Sequence, residues 1–316
     1  MRITERTLLV RLNDVGLIRV AGTDATTFLH NLCTNDVAGL PPDGIRHGAL
    51  CNAKGRMFAS FLYWRDSDDY LLQVSADLLP ALLKKLSLYV MRSQVRLTDA
   101  SSDRVVLGLS GPQVEAARSS LAGLADLPQA AMTWIAIEQG QLLALGEQRY
   151  QLVLAPAAVD RVLQRLADAV YETDLAAWHL AEIRAGTPRI TQATQEAFVP
   201  QMVNFEAIGG VNFKKGCYPG QEIVARTQYL GKIKRRMYRA AIDAAPTQSA
   251  AAGDALFAPA TGAQSCGNLV LAAPSPQGGH EVLAVIQSSC ADIGEVRLGA
   301  PDGPRLSLLP LPYNLG

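Results

Sequence analysis

Within the eight residues from Lys215 to Glu222 the chain places a cation, a thiol, a phenol, an amide and a carboxylate, with Gly216 and Gly220 among them. A segment that only fills a core does not need polar groups at that density, and glycines let a backbone approach a ligand closely. The chemistry on offer is that of an activated sulfur. Cys217 lies two residues from Lys215 and just ahead of Ile223-Val224-Ala225-Arg226, which reads as a short helix with Pro219 in its first turn. A neighbouring ammonium and a helix N-terminus both favour a thiolate over a thiol. A single cysteine is more often a small buried hydrophobe. It is the whole octet that favours a working sulfur here.

The elements that must position this segment follow from hydrophobic periodicity. Gly16 to Val20 reads as a strand, followed by a helix with Thr23 as N-cap carrying Phe28, Leu29 and Leu32. Gly48 to Cys51 and Met57 to Trp64 flank Ala53-Lys54-Gly55 as the arms of a hairpin. Asp66 to Asp69 turn the chain into a strand over Tyr70 to Val74. Leu78, Leu79, Leu82, Leu83 and Leu86 form a helical stripe. A strand at Val105 to Leu109 and a helix opened by Gly111-Pro112 come next. Two or three strands between Thr133 and Leu154 lead to a helix carrying Val159, Val162, Leu163 and Leu166. A further helix, holding Trp178, is expected from Thr173 to about Arg184. That order suggests a ferredoxin-like unit, an antiparallel sheet with helices on one side. Past Arg239, and an Ala-rich linker at Ala244 to Ala252, helical stripes vanish. Short apolar runs at Gly267 to Leu271 and Val282 to Ile286 then sit between turns, the texture of a small β-barrel or sandwich.

Composition sets limits on function. A chain of 316 residues with 49% hydrophobic content argues for an ordered core divided into two or three units. The formal net charge is zero, so no global field attracts nucleic acid. Met1 to Arg6 lacks the apolar core of a signal peptide, and no apolar run approaches the ~20 residues of a membrane span. A cytoplasmic location with no membrane partner is expected. Cys33, Cys51, Cys217, Cys266 and Cys290 are scattered and form no C-x-x-C pair, which fits neither a disulfide framework nor a zinc site. Nor do they supply an evident cage for an iron–sulfur cluster, which takes about four thiolates. No resident metal site is expected.

The charge that exists is local. Residues 211 to 239 hold Lys214, Lys215, Arg226, Lys232, Lys234, Arg235, Arg236 and Arg239 against one acid, Glu222. Such a run suits carboxylates or RNA phosphates, and its part from Lys234 to Arg239 reads equally as a solvated strand face. No RNA-binding module or interleaved aromatic platform accompanies it, so direct tRNA binding is not supported.

The segment from Gly209 to Arg226 resembles the signature of YgfZ-type folate-binding proteins, relatives of the glycine-cleavage T-protein, an aminomethyltransferase. Phe198-Val199-Pro200-Gln201 and Asn204 precede it, and Gly231 with Lys234-Arg235-Arg236 follows it. Trp178, Ala185-Gly186-Thr187-Pro188, Asn35-Asp36 and Asn52-Ala53-Lys54-Gly55 extend the resemblance through most of the chain. It implies an α+β architecture: a T-protein-like folate-binding body of antiparallel sheets with helices over residues 1–232, and a C-terminal β-barrel over 233–316. It implies tetrahydrofolate as cofactor, and as partners the iron–sulfur enzymes or assembly proteins that this family supports, including one that modifies tRNA. Cys217 would handle the chemistry with Lys215, and Asp36 matches the carboxylate that does electrostatic work in aminomethyltransferases. As a residue in its own right Asp36 reads equally as a turn residue after the first helix.

Folate would be held by Trp178, Gln201, Asn204, Tyr218, Gly220, Gln221, Glu222 and Arg226: a stacking surface, donors and acceptors, and a cation for the glutamate tail. Helical spacing alone makes Trp178 a core residue; its place in the family pattern assigns it to the pocket. Two departures stand out. Cys217-Tyr218-Pro219-Gly220 replaces the Asp-Phe-Ile-Gly of T-proteins, and Arg184 stands where T-proteins place a pterin-binding glutamate. Glu182 is near in sequence, but a two-residue shift on a helix rotates a side chain by about 200°. Aminomethyltransferase activity is therefore the second expectation, behind a folate-binding accessory role.

Overall fold

The computed structural model describes residues 6–114, 130–138, 140–231, 233–243 and 249–315. The first half holds β1 (Thr7–Arg11), β2 (Val15–Ala21), α1 (Ala25–Leu32), β3 (Ile45–Cys51), β4 (Met57–Asp66), β5 (Asp69–Ser75), α2 (Leu79–Val90) and β6 (Arg96–Asp99). It continues with β7 (Val105–Ser110), β8 (Thr133–Ile137), β9 (Gly140–Gly146), β10 (Arg149–Leu154), α3 (Val159–Leu166), β11 (Val170–Thr173) and α4 (Leu175–Arg184). The second half holds α5 (Gln221–Tyr229), β12 (Arg235–Ile242), β13 (Ala255–Phe257), β14 (Ser265–Pro274), β15 (His280–Gln287), α6 (Ser288–Ile293), β16 (Arg297–Leu298) and β17 (Leu306–Leu309). Two compact units result. One comprises Met1–Leu29, Val37–Arg46 and Phe61–Ala181; the other His30–Asp36, His47–Ser60 and Glu182–Gly316.

The first unit is built on a sheet of order β11-β1-β7-β10-β9-β8, antiparallel but for the parallel pair β1–β11. The period of two along its strands sends alternate residues to two cores. Leu9, Leu107, Leu142 and Leu152 pack with Val159, Val162 and Leu166 of α3. Val10, Val106, Leu143 and Val153 pack on the other face with Leu17, Trp64, Leu71 and Trp178. The expected helix layer thus covers one face, and the second face is also buried. Gly108 makes that possible, since a Cβ there would meet the Trp178 ring at 2.4 Å. A second sheet has the order β3-β4-β5-β2-β6.

In the second unit the C-terminal strands form a sheet of order β16-β13-β14-β15-β12-β17, curled as a half-barrel round a core of Ala240, Leu256, Cys266, Leu269, Ala284, Ile286 and Cys290 among others. β12 and β15 pair antiparallel from Arg235↔Gln287 to Ile242↔His280. The architecture is α+β, as the element order implied.

Local differences from the expected elements have local causes. α1 starts at Ala25, so Asp24 rather than Thr23 occupies the cap position; the Asp24 carbonyl accepts from the Phe28 N–H at 2.8 Å. α4 starts at Leu175 because Asp174 accepts from the Ala176 N–H at 3.1 Å, leaving Thr173 in β11. The body of the helix expected after Gly111-Pro112 and half of the Ala244 to Ala252 segment lie outside the described residues, as does Lys232. Among the described residues no helix is long and apolar enough to cross a membrane.

Candidate functional site

The octet is held against the segment that follows α1. Cys33 bridges Leu50 at the end of β3, and the Thr34 N–H donates to Ala49 O at 3.0 Å. Thr34 Oγ1 donates to Gly210 O at 2.7 Å, and Thr34 O accepts from the Asn212 N–H at 3.0 Å. Asn35 Nδ2 donates to both His47 O and Gly209 O, each at 2.7 Å. Residues 33–35 therefore lie between β3 and the stretch Gly209 to Asn212, with their polar groups satisfied by backbone. This is the frame from which Lys215 and Cys217 project.

Lys215 Nζ donates to Cys33 O at 2.9 Å and sits 4.7 Å from the centre of the Tyr218 ring. Burial pushes this ammonium down, while the charges of Cys33, Asp36 and Cys217 push it up; burial wins. Cys217 is exposed, and Cys33, Cys51, Cys266 and Cys290 are buried. Burial pushes the Cys33 and Cys51 thiols up to about 12, so they stay protonated at neutral pH. Tyr218 is 7% exposed, and burial, with Cys51 nearby, raises its phenol as well. Asp36 Oδ1 lies 3.2 Å from His30 Nδ1, on the last turn of α1.

α5 begins at Gln221, within the octet, with Gly220 as its cap, so Pro219 precedes the helix instead of opening it. Gly220 has φ +78°, and a Cβ there would meet Asn52 O at 2.3 Å and Gly55 N at 2.7 Å. The turn Ala53-Lys54-Gly55 is shaped in its turn by Asn52 Oδ1, which accepts from the Lys54 and Arg56 N–H groups. Gln221 is half-buried, and Glu222 and Arg226 are exposed on α5. Glu222 lies in the first turn of α5, where the helix dipole favours a carboxylate.

Other residues named from the sequence are placed differently. Trp178 is 1% exposed in the core of the first unit, where it presents no open face for stacking; helical spacing gave the better guide to its setting. Gln201 and Asn204 are fully buried: Gln201 Nε2 donates to Val224 O and Asn204 Nδ2 to Met237 O, both at 2.8 Å. Both amides therefore pin α5 and β12. Gln201 Oε1 has no hydrogen-bond partner among the described residues. Of the basic run, Arg236 is paired with Glu206 and bonds Gln201 O, and Arg239 is paired with Glu281 at 2.7 Å. Lys234 and Arg235 line an open cavity with Gln287, Ser288 and Ser289. Arg184 is paired with the same Glu281 at 2.6 Å, and Glu182 faces Arg189 at 3.8 Å.

The sequence reading missed His30. An isolated histidine at a helix end leaves no periodic trace, and its partner Asp36 lies across a turn. Among the described residues no three His, Cys, Asp or Glu side chains are grouped to hold a metal ion.

Comparisons with known proteins agree with this frame. The GCVT N-terminal domain model matches residues 2–146. The "tRNA-modifying protein YgfZ" of Sodalis glossinidius is 32% identical over 311 residues, covering 98% of this chain and 93% of its own length. Its namesake in Vibrio vulnificus (strain YJ016) is 36% identical over 228 residues, 72% of this chain and 68% of its own. Among solved structures, glycine cleavage system aminomethyltransferase T from Bartonella henselae matches with a TM-score of 0.73 over 98% of this chain and 87% of that one. At 19% identity this is a likeness of fold. An identity of 32% sustained over nearly the whole of both sequences, with the octet set in a T-protein-like fold, shows that this chain belongs to the YgfZ family.

Proposed function

We propose that the chain is a tetrahydrofolate-binding accessory protein that supports iron–sulfur enzymes, tRNA-modifying ones among them, and that Cys217 is its working group. The observation that carries this reading is the exposure of Cys217 beside a half-buried lysine, in a chain whose other cysteines are buried. The relatives' name supplies the tRNA connection, which here runs through client enzymes instead of direct tRNA contact.

The fit to folate is selective. Gln221, Glu222 and Arg226 are accessible on α5, with Arg226 suited to the carboxylates of the glutamate tail. Gln201 Oε1 is a buried acceptor that suits a pterin N–H. Asn204 supports the site through its bond to the backbone of β12. Bound folate would supply a carrier for one-carbon units beside the Cys217 loop.

Cys217→Ala is expected to leave thermal unfolding and reduced-folate affinity, measured by calorimetry, unchanged while abolishing support of iron–sulfur enzymes in a cell lacking the protein. Full complementation by that variant would remove the reading. In a folate-dependent assay with aminomethyl donors, turnover that disappears in Asp36→Asn would replace it with a one-carbon transferase, Asp36 stabilising the developing cation.

A further inference from the structure

His30 lies in the last turn of α1. Its Nδ1 faces Asp36 Oδ1 at 3.2 Å, the two side chains being 22% and 26% exposed. The other ring nitrogen faces the octet: a methyl group built on Gly216 would have His30 Nε2 as its nearest neighbour, at 3.8 Å. Cys217 is the next residue and is exposed. Lys215, on the other side of Gly216, bonds Cys33 O and feels the charges of Asp36 and Cys217. Two segments, residues 30–36 and 215–217, thus meet at Gly216, one carrying the imidazole and its carboxylate partner and the other the ammonium and the thiol. All of them belong to the same compact unit.

We propose that His30, oriented by Asp36, is the base that takes the proton of the Cys217 thiol. The Asp36 carboxylate accepts from Nδ1–H, which selects the tautomer with its lone pair on Nε2. The S–H bond breaks, its electron pair remains on sulfur, and the proton passes to Nε2; no oxidant or further reactant enters. The imidazolium is then held by Asp36 and the thiolate by Lys215, the arrangement by which a nucleophile is activated through a base that a third group orients. The charged and titratable groups round His30 are Asp36, Lys215, Cys217 and Cys33, the last kept neutral because burial pushes it up to about 12. The inference deepens the reading of Cys217 as the working sulfur and rests on it.

The test is the pH dependence of iodoacetamide alkylation of the native full-length chain. Because the other four thiols are buried, the fast-reacting one is Cys217, identified by its loss in Cys217→Ala. At pH 7, His30→Gln should react at least about tenfold more slowly than wild type. Asp36→Asn should slow it less, and both should converge with wild type at high pH, where the thiol ionises unaided. Gly216→Ala, whose methyl reaches the ring at contact distance, should slow alkylation without changing the unfolding temperature. Superimposable pH–rate profiles for wild type and His30→Gln, with equal thermal unfolding, would overturn the proposal. Should His30→Gln not fold, nitrogen-15 spectra of wild type decide: a neutral His30 ring protonated on Nδ1 supports the proposal, and one protonated on Nε2 overturns it. Full complementation by Cys217→Ala alongside a slowed His30→Gln would remove the functional reading and leave the proton transfer standing. A flat alkylation comparison with an inactive Cys217→Ala would do the reverse.

Discussion

Cys217 stands exposed on the loop ahead of α5, while Cys266 on β14 and Cys290 on α6 are sealed in the half-barrel core. Cys266 is pushed up to about 11, first by burial and then by Cys290, with Arg235 opposing. Near Cys217 lie instead a half-buried ammonium and, against the adjoining Gly216, the His30 ring that pairs with Asp36. One side-chain type thus serves as packing in one region and as accessible chemistry in another. What differs is the setting: the half-barrel core encloses the first pair, and a glycine-bounded loop presents the other thiol. The loop is nonetheless fixed, through Lys215 on Cys33 and Gly220 against Asn52 and Gly55.

The comparison can be sharpened by substitutions, beginning with the half-barrel. Glu281 accepts from Arg184 Nη2 at 2.6 Å and Arg239 Nη2 at 2.7 Å, with its side chain 6% exposed. Burial pushes this carboxyl up, but the hydrogen bonds and charges of both guanidinium groups outweigh it and hold it below its ordinary value. Glu281→Gln leaves two cations without a counter-charge and should destabilise by about 3 kcal/mol in denaturant titrations. Because the folded-state carboxyl is depressed, its contribution is full above the unfolded glutamate value near pH 4.3 and is lost as pH falls below it. The wild type should show that acid-side loss, and Glu281→Gln should lack it.

Gly220→Ala comes next. It combines a strained φ with a backbone clash and should cost about 2 kcal/mol, which would show that the exposed loop is as tightly set as a core element. Cys266→Ser places a hydroxyl among apolar groups and should cost about 1 kcal/mol by thermal unfolding, whereas Cys217→Ser should leave the midpoint unchanged. Equal effects for the two serine variants would break the contrast between the regions.

Much of the frame was legible because it rests on short-range pattern. The hairpin round Ala53-Lys54-Gly55, the stripe Leu79, Leu82 and Leu86 and the strand at β7 repeat with the period of their elements. The octet was legible by its density of polar groups, and Cys217 is exposed as a reactive role requires. What could not be read depends on residues far apart in sequence. Nothing local to Arg184 announces Glu281, and nothing local to Gln201 announces Val224 O, yet those contacts commit the Arg184 guanidinium and the Gln201 amide nitrogen to holding the fold. Trp178 shows the same effect in reverse, since its position in a motif suggested a pocket while Gly108 opposite gave it a place in the core.

The contact between Gly55 and Gly220 has a consequence for anyone wishing to borrow this chemistry. Gly220 is the space into which the main chain of Asn52 and Gly55 fits, and Gly55 leaves room for the Ile223 side chain and Gly220 O, so the curve of the octet is written partly in a hairpin much earlier in the sequence. A synthetic peptide spanning 213–222 would carry each functional group of the octet, none of its shape, and neither His30 nor Asp36. A graft into another scaffold has to bring both turns, and in divergent homologues those turns are expected to change together or not at all.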